Sequence, residues 1–80
     1  MIKKRVRFTF PRNLITEPVI FKLGKDFKIV TNVRRADVRE DMGWVILELE
    51  GEIEEISKGL KWVVDMDVRV DPVAGDVVEG

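Results

Sequence analysis

Eighty residues with 45% apolar content suit one domain with one core, because a chain this short buries only roughly two-thirds of the surface it exposes when unfolded. Cys, His and Tyr are all absent, which removes disulfides, thiolate metal sites and every Cys-His or Ser-His-Asp mechanism. With 14 basic against 15 acidic residues and a net charge of −1, there is no overall field to hold a polyanion.

From Lys3 to Phe10 apolar and polar residues alternate, with Val6, Phe8 and Phe10 on one side and Arg5, Arg7 and Thr9 on the other; this period of two predicts a strand. Pro11 cannot donate a ladder hydrogen bond and closes it. Pro18, after Thr16 and Glu17, suits a helix start, and a short helix is expected from about residue 16 to residue 25, with Val19, Ile20 and Leu23 as its apolar stripe. The segment from Phe27 to Arg39 alternates imperfectly: Ile29 and Val33 share one phase, Val30, Ala36 and Val38 the other. One strand with an irregularity near Asn32 accounts for this.

After the turn at Glu40 to Gly43, the run Trp44 to Glu50 alternates cleanly, placing Val45, Leu47 and Leu49 inward and Trp44, Ile46 and Glu48 outward. Gly51 breaks the pattern, and Ile53, Ile56, Leu60 and Val63 then recur at helical spacing. A second helix is expected from about residue 52 to residue 64, with Glu54 and Lys58 as an i,i+4 pair and Gly59 on its buried stripe for close contact. Val68 and Val70 alternate with Asp67, Arg69 and Asp71 in a last strand, and Pro72 opens a tail of small and acidic residues. The domain is expected over residues 1–73 and a flexible tail over 74–80.

The order strand, helix, strand, strand, helix, strand implies an α+β, ferredoxin-like βαββαβ fold: a four-stranded antiparallel sheet with two helices on one face. The other face stays open and carries Arg5, Arg7, Trp44, Ile46 and Glu48. An exposed Trp beside an Ile there points to a partner. Ser57, the only Ser, has no His to activate it. Neither a metal site nor a cofactor is expected, since zinc and copper lack their preferred ligands and the acidic pairs lack calcium-loop spacing; no enzyme activity is expected either. No segment reaches the ~20 apolar residues of a membrane span, so a soluble, cytoplasmic protein without membrane insertion is expected. The strand and helix order is shared with RNA-recognition domains, but Ile46 stands where their second stacking ring should be, so nucleic acid is not an expected partner.

Glu17-Pro18-Val19-Ile20, then Leu23, then the run Thr31 to Val38, then Gly43-Trp44 through Leu49-Glu50-Gly51 together resemble the NIL domain family, with Asn32-Val33 at that family's Asn-Ile position. NIL domains close the ATPase subunit of methionine importers, where they bind methionine and inhibit transport; they also accompany iron–sulfur ferredoxin domains and occur as short single-domain proteins. No cluster-binding Cys follows Val73 and no ATPase precedes Met1, so this chain resembles the single-domain class. The resemblance implies a regulatory, ligand-binding homodimer linked to sulfur amino-acid metabolism. It places the ligand between paired domains at Asn32 and Val38, with Ala36 beside them, although importers carry Met where this chain has Val38. An alternative reading is an interaction subunit that docks an iron–sulfur or sulfur-transfer enzyme through Trp44, Ile46, Arg34 and Arg35.

Overall fold

The computed structural model describes residues 1–15 and 17–73; the expected tail, 74–80, lies outside the described residues. The elements are β1 (Ile2–Phe10), α1 (Val19–Asp26), β2 (Ile29–Val38), β3 (Gly43–Gly51), α2 (Ile53–Asp65) and β4 (Arg69–Pro72), with a 3₁₀ turn at Arg12–Leu14 between β1 and α1. The strands form one antiparallel sheet in the order β2-β3-β1-β4. This is the ferredoxin-like arrangement anticipated from the pattern of periods.

The core is built where the two kinds of periodicity meet. Val6, Phe8 and Phe10 of β1 lie opposite Leu47, Val45 and Gly43 of β3, so both central strands turn the same alternate residues toward the helices. Val19 and Leu23 of α1, and Ile56 and Val63 of α2, close over them, and all of these are buried. Full burial of such a side chain contributes about 1.5–3 kcal/mol. The Phe8 and Phe10 rings meet edge to face at 6.2 Å, a geometry that places the positive edge of one ring on the negative face of the other.

Two glycines set how closely the layers approach. On α2, a Cβ at Gly59 would stand 2.7 Å from Ile29 Cδ1 and 2.8 Å from Leu23 Cδ1, so the bare backbone is what lets α2 rest on α1 and on the start of β2. Gly51 ends β3 opposite both Ile2 and Ile29, and a Cβ there would meet the Lys28 carbonyl oxygen at 2.7 Å.

Helix ends follow local chemistry. Pro18 is the residue that precedes α1, and a 3₁₀ turn at Arg12–Leu14 comes before it, so α1 starts at Val19, later than its sequence suggests. At the other helix, the Asp67 N–H donates to the Val64 carbonyl (2.9 Å) and the Val68 N–H reaches back to the Val63 carbonyl (3.4 Å). This is a Schellman closure, with Asp67 at φ 69° and Val63 and Val68 both buried. The Lys28 N–H donates to Glu55 Oε1 at 3.0 Å, tying α2 to the start of β2. That bond first, and the nearby Lys58 and Lys28 charges after it, hold the Glu55 carboxyl below its ordinary range.

Three expectations shift. Ile53, anticipated on the buried stripe, is 60% exposed because it opens the helix beyond the sheet's edge of cover. Lys58 pairs with Glu55 at 3.6 Å rather than with Glu54, since Glu55 is already drawn inward by Lys28. Pro72 belongs to β4, opposite Val6; as an edge residue it needs no outward ladder donor.

Three consequences are measurable. Gly51→Ala should destabilise the fold by about 1–3 kcal/mol in denaturant melts, because backbone rather than a side-chain tip must yield. Asp67→Gly should stabilise it by roughly 0.5–1.5 kcal/mol, because glycine adopts positive φ without the Cβ penalty. The Glu55 contribution should be complete above the ordinary glutamate range and fade as pH falls through the lowered folded value; the stability gap between wild type and Glu55→Gln, followed by thermal melts from pH 7 to 3, should shrink with acidification.

Candidate functional site

Among the described residues β2 is the outermost strand on its side of the sheet, ten residues long and paired only with β3. Its pairing contains one irregularity: Val33 faces Leu47 and Arg35 faces Ile46, so Arg34 is an extra residue. This bulge lies two residues beyond Asn32, near where the broken alternation placed it. It resolves the phase conflict in the sequence. Ile29, Thr31, Val33, Ala36 and Val38 oppose the inward residues of β3 and share the helix side, whereas Val30, Asn32, Arg35 and Asp37 oppose Glu50, Glu48, Ile46 and Trp44 on the open side.

The helices cover only the first part of this strand. Ile29 is buried, and Gly24 of α1 stands next to Thr31. Beyond that point Val33 is 50% exposed and Val38 58%, and the five consecutive residues from Asn32 to Ala36 are all exposed. A core-side strip of apolar side chains is thus left at the edge of the sheet.

At the far end of this strip lies a cavity of about 240 Å³ between the start of α1, the end of β1 and the close of the β2–β3 hairpin. Its walls are Phe10, Ile15, Val19, Ile20, Val38 and Val45, with Pro18 and Phe21 at the start of α1, and Glu17 is the one ionisable side chain among the described residues that lines it. Engineered apolar cavities of about 150 Å³ hold a benzene ring, so this one has room for one large apolar side chain. The sequence pattern did not reveal it, because Phe21 lies off the helical stripe and is 67% exposed.

The ligand-binding residues expected from the sequence fall into two groups. Ala36 and Val38 lie on the helix side, and Val38 enters the cavity wall. Asn32 lies on the open side, opposite Glu48. Six residues of strand separate Asn32 from Val38, roughly 20 Å at 3.3 Å per residue, so within one chain they do not converge.

The open face is partly closed by its own side chains. Arg5 and Glu48, opposite one another on β1 and β3, are joined at 3.2 Å with side chains only 15% and 14% exposed. The Arg7 guanidinium sits 4.9 Å from the Trp44 ring centroid, a cation–π contact. Trp44 and Ile46 are half-buried beneath these neighbours. Of the two arginines expected at an interface, Arg35 lies beside Ile46 on this face and Arg34 occupies the bulge; both are exposed. No helix among the described residues is long and apolar enough to cross a membrane, and no group of three or more carboxylates there could hold a metal ion.

No curated protein matches the chain. Among solved structures, the C-terminal domain of an ABC transporter ATP-binding protein from Enterococcus faecalis shares the fold, with a TM-score of 0.77 at 16% identity over 91% of this chain and 86% of that one. The family model of the NIL domain matches residues 4–72, a span that takes in all four strands, both helices and the exposed edge, and the chain belongs to the NIL domain family.

Proposed function

We propose that this chain is a non-catalytic regulatory module that binds a small ligand with an apolar side chain, at a site completed where two copies meet along β2. The observation that carries this reading is the uncovered part of that strand: Val33, Ala36 and Val38 are exposed on the core side, and the strip they form ends in an apolar cavity. Family membership supports a regulatory role, as does a fold shared with a transporter ATP-binding subunit's C-terminal domain. A catalytic reading has little to stand on in a chain without His, Cys or Tyr.

The resemblance of the Asn32 segment to importer NIL domains makes a sulfur amino acid, methionine first, the ligand to try. Its thioether chain suits an apolar wall, and its ammonium suits a site lined by the Glu17 carboxylate. Asn32 and Val38 lie roughly 20 Å apart along the strand and on opposite faces of the sheet, so the proposed ligand lies on the Val38 side, beside the cavity. Docking of a sulfur-metabolism enzyme through Trp44 and Ile46 is the weaker reading, because Arg7 already covers the Trp44 ring and Arg5 engages Glu48.

Light scattering at micromolar concentration should give the mass of a dimer, and calorimetric titration with L-methionine, L-homocysteine and S-adenosylmethionine should show saturable heat for at least one. Val38→Asp, which sets a charge in an apolar wall, should weaken that binding at least tenfold while leaving the fold intact by circular dichroism. A monomer with no heat from all three compounds would contradict the proposal.

A further inference from the structure

The cavity at the start of α1 has a charge as well as a shape. Among the described residues that line it, Glu17 is charged and the rest are apolar or glycine. Thr16 and residues 74–80, which lie outside the described residues, include no Lys or Arg. Arg12 and Lys22, which flank this stretch of chain, are not lining residues.

The surroundings carry the same sign. The β2–β3 hairpin gives Val38 and Gly43 to the wall, and its turn carries Glu40 and Asp41, both exposed. The one cation of that turn, Arg39, is already engaged with Asp37 at 3.3 Å. A ligand that enters an apolar cavity is oriented by the few polar groups at its border, and here the charged ones that are not already paired are carboxylates.

We infer that this cavity takes a small monocation: a primary ammonium on an apolar chain, without a free carboxylate. The inference rests on the small-ligand reading above and narrows it to a charge class. The apolar chain lies against Ile20, Val38 and Val45, and the ammonium stays beside the solvent-exposed Glu17 carboxylate. Phe21, 67% exposed, lines the same cavity, and the π-face of an aromatic ring attracts a cation.

A free amino acid fits less well, because its carboxylate has no cation to meet. Two other groups could receive a carboxylate, and neither serves. The Asn32 amide lies on the opposite face of the sheet. The start of α1 has no side-chain cap, and a helix N-terminus favours an anion. Glu17, however, stands one residue before Pro18 and already puts a carboxylate beside that terminus, so a second one would meet a like charge. An amino acid blocked as its amide, or the corresponding amine, has the same chain and ammonium without that repulsion.

Four probes with one thioether chain separate these cases by calorimetric titration in a buffer that keeps the amines protonated. They are L-methionine, a zwitterion; L-methioninamide and methylthiopropylamine, both cations; and N-acetyl-L-methionine, an anion. The two cations should bind about fivefold tighter than methionine, the scale of a partly exposed ion pair, and the anion should give no heat. Glu17→Gln should remove that preference, whereas Glu54→Gln, which deletes the same charge from an exposed position on α2, should leave it unchanged. Both substitutions lie at exposed side chains, and the Val19 N–H bond to Glu17 is made to the backbone carbonyl, so the fold is retained. The methyl resonances of Val38 and Val45 should move with each cation. Methionine binding as tightly as the cations, binding of the anion, or a preference that survives Glu17→Gln would overturn the charge class while the small-ligand reading stands; silence from all four probes would overturn both.

Discussion

What the rest of the structure depends on is how far two short helices can cover a four-stranded sheet. α1 has eight residues and α2 thirteen, about 12 and 20 Å of helix at 1.5 Å per residue, laid over strands of up to ten residues. That cover is complete over β3 and over β1 from Val6 to Phe10, whose inward residues are buried, but it runs out along β2 after Thr31. Burial of the central strands supplies the fold's stability. The remainder of β2 is uncovered, with exposed valines on the side that would otherwise be core.

The close approach of the layers is bought by leaving out side chains at Gly59 and Gly51. At Gly59 the terminal methyls of Leu23 and Ile29 occupy the place of a Cβ, so α1, α2 and β2 are locked at one point. The Lys28 to Glu55 hydrogen bond fastens the same corner from the surface. This anchoring at the start of β2 contrasts with its far end, where Val38 borders a cavity and the hairpin turns back through a single Arg39 to Met42 backbone hydrogen bond. The strand is fixed at one end and open to company at the other.

Much of this was legible in the residues. The strands β1 and β3 and the helix α2 follow from period alone, because each has one buried and one wet face. The bulge was visible as a conflict of phase between Ile29 and Val38, although only the pairing with β3 shows that Arg34 is the extra residue. Less could be read of the site. Periodicity says which face a residue occupies but not whether anything covers it, so Val33 and Val38 read like core residues until the reach of α1 is known. The separation of Asn32 from Val38 onto opposite faces follows from that same bulge. The Arg5 to Glu48 pair and the stacking of Arg7 on Trp44 depend on strand order, which sequence spacing does not determine.

The most direct test of the account is amide hydrogen exchange along β2, followed residue by residue as the protein is diluted. The account predicts that outward-facing N–H groups between Ile29 and Val38 are protected at high concentration and lose that protection together on dilution, while β1 and β3 keep theirs. Fast exchange of those outward groups at every concentration would contradict it, since the edge of the sheet would then be meeting only water.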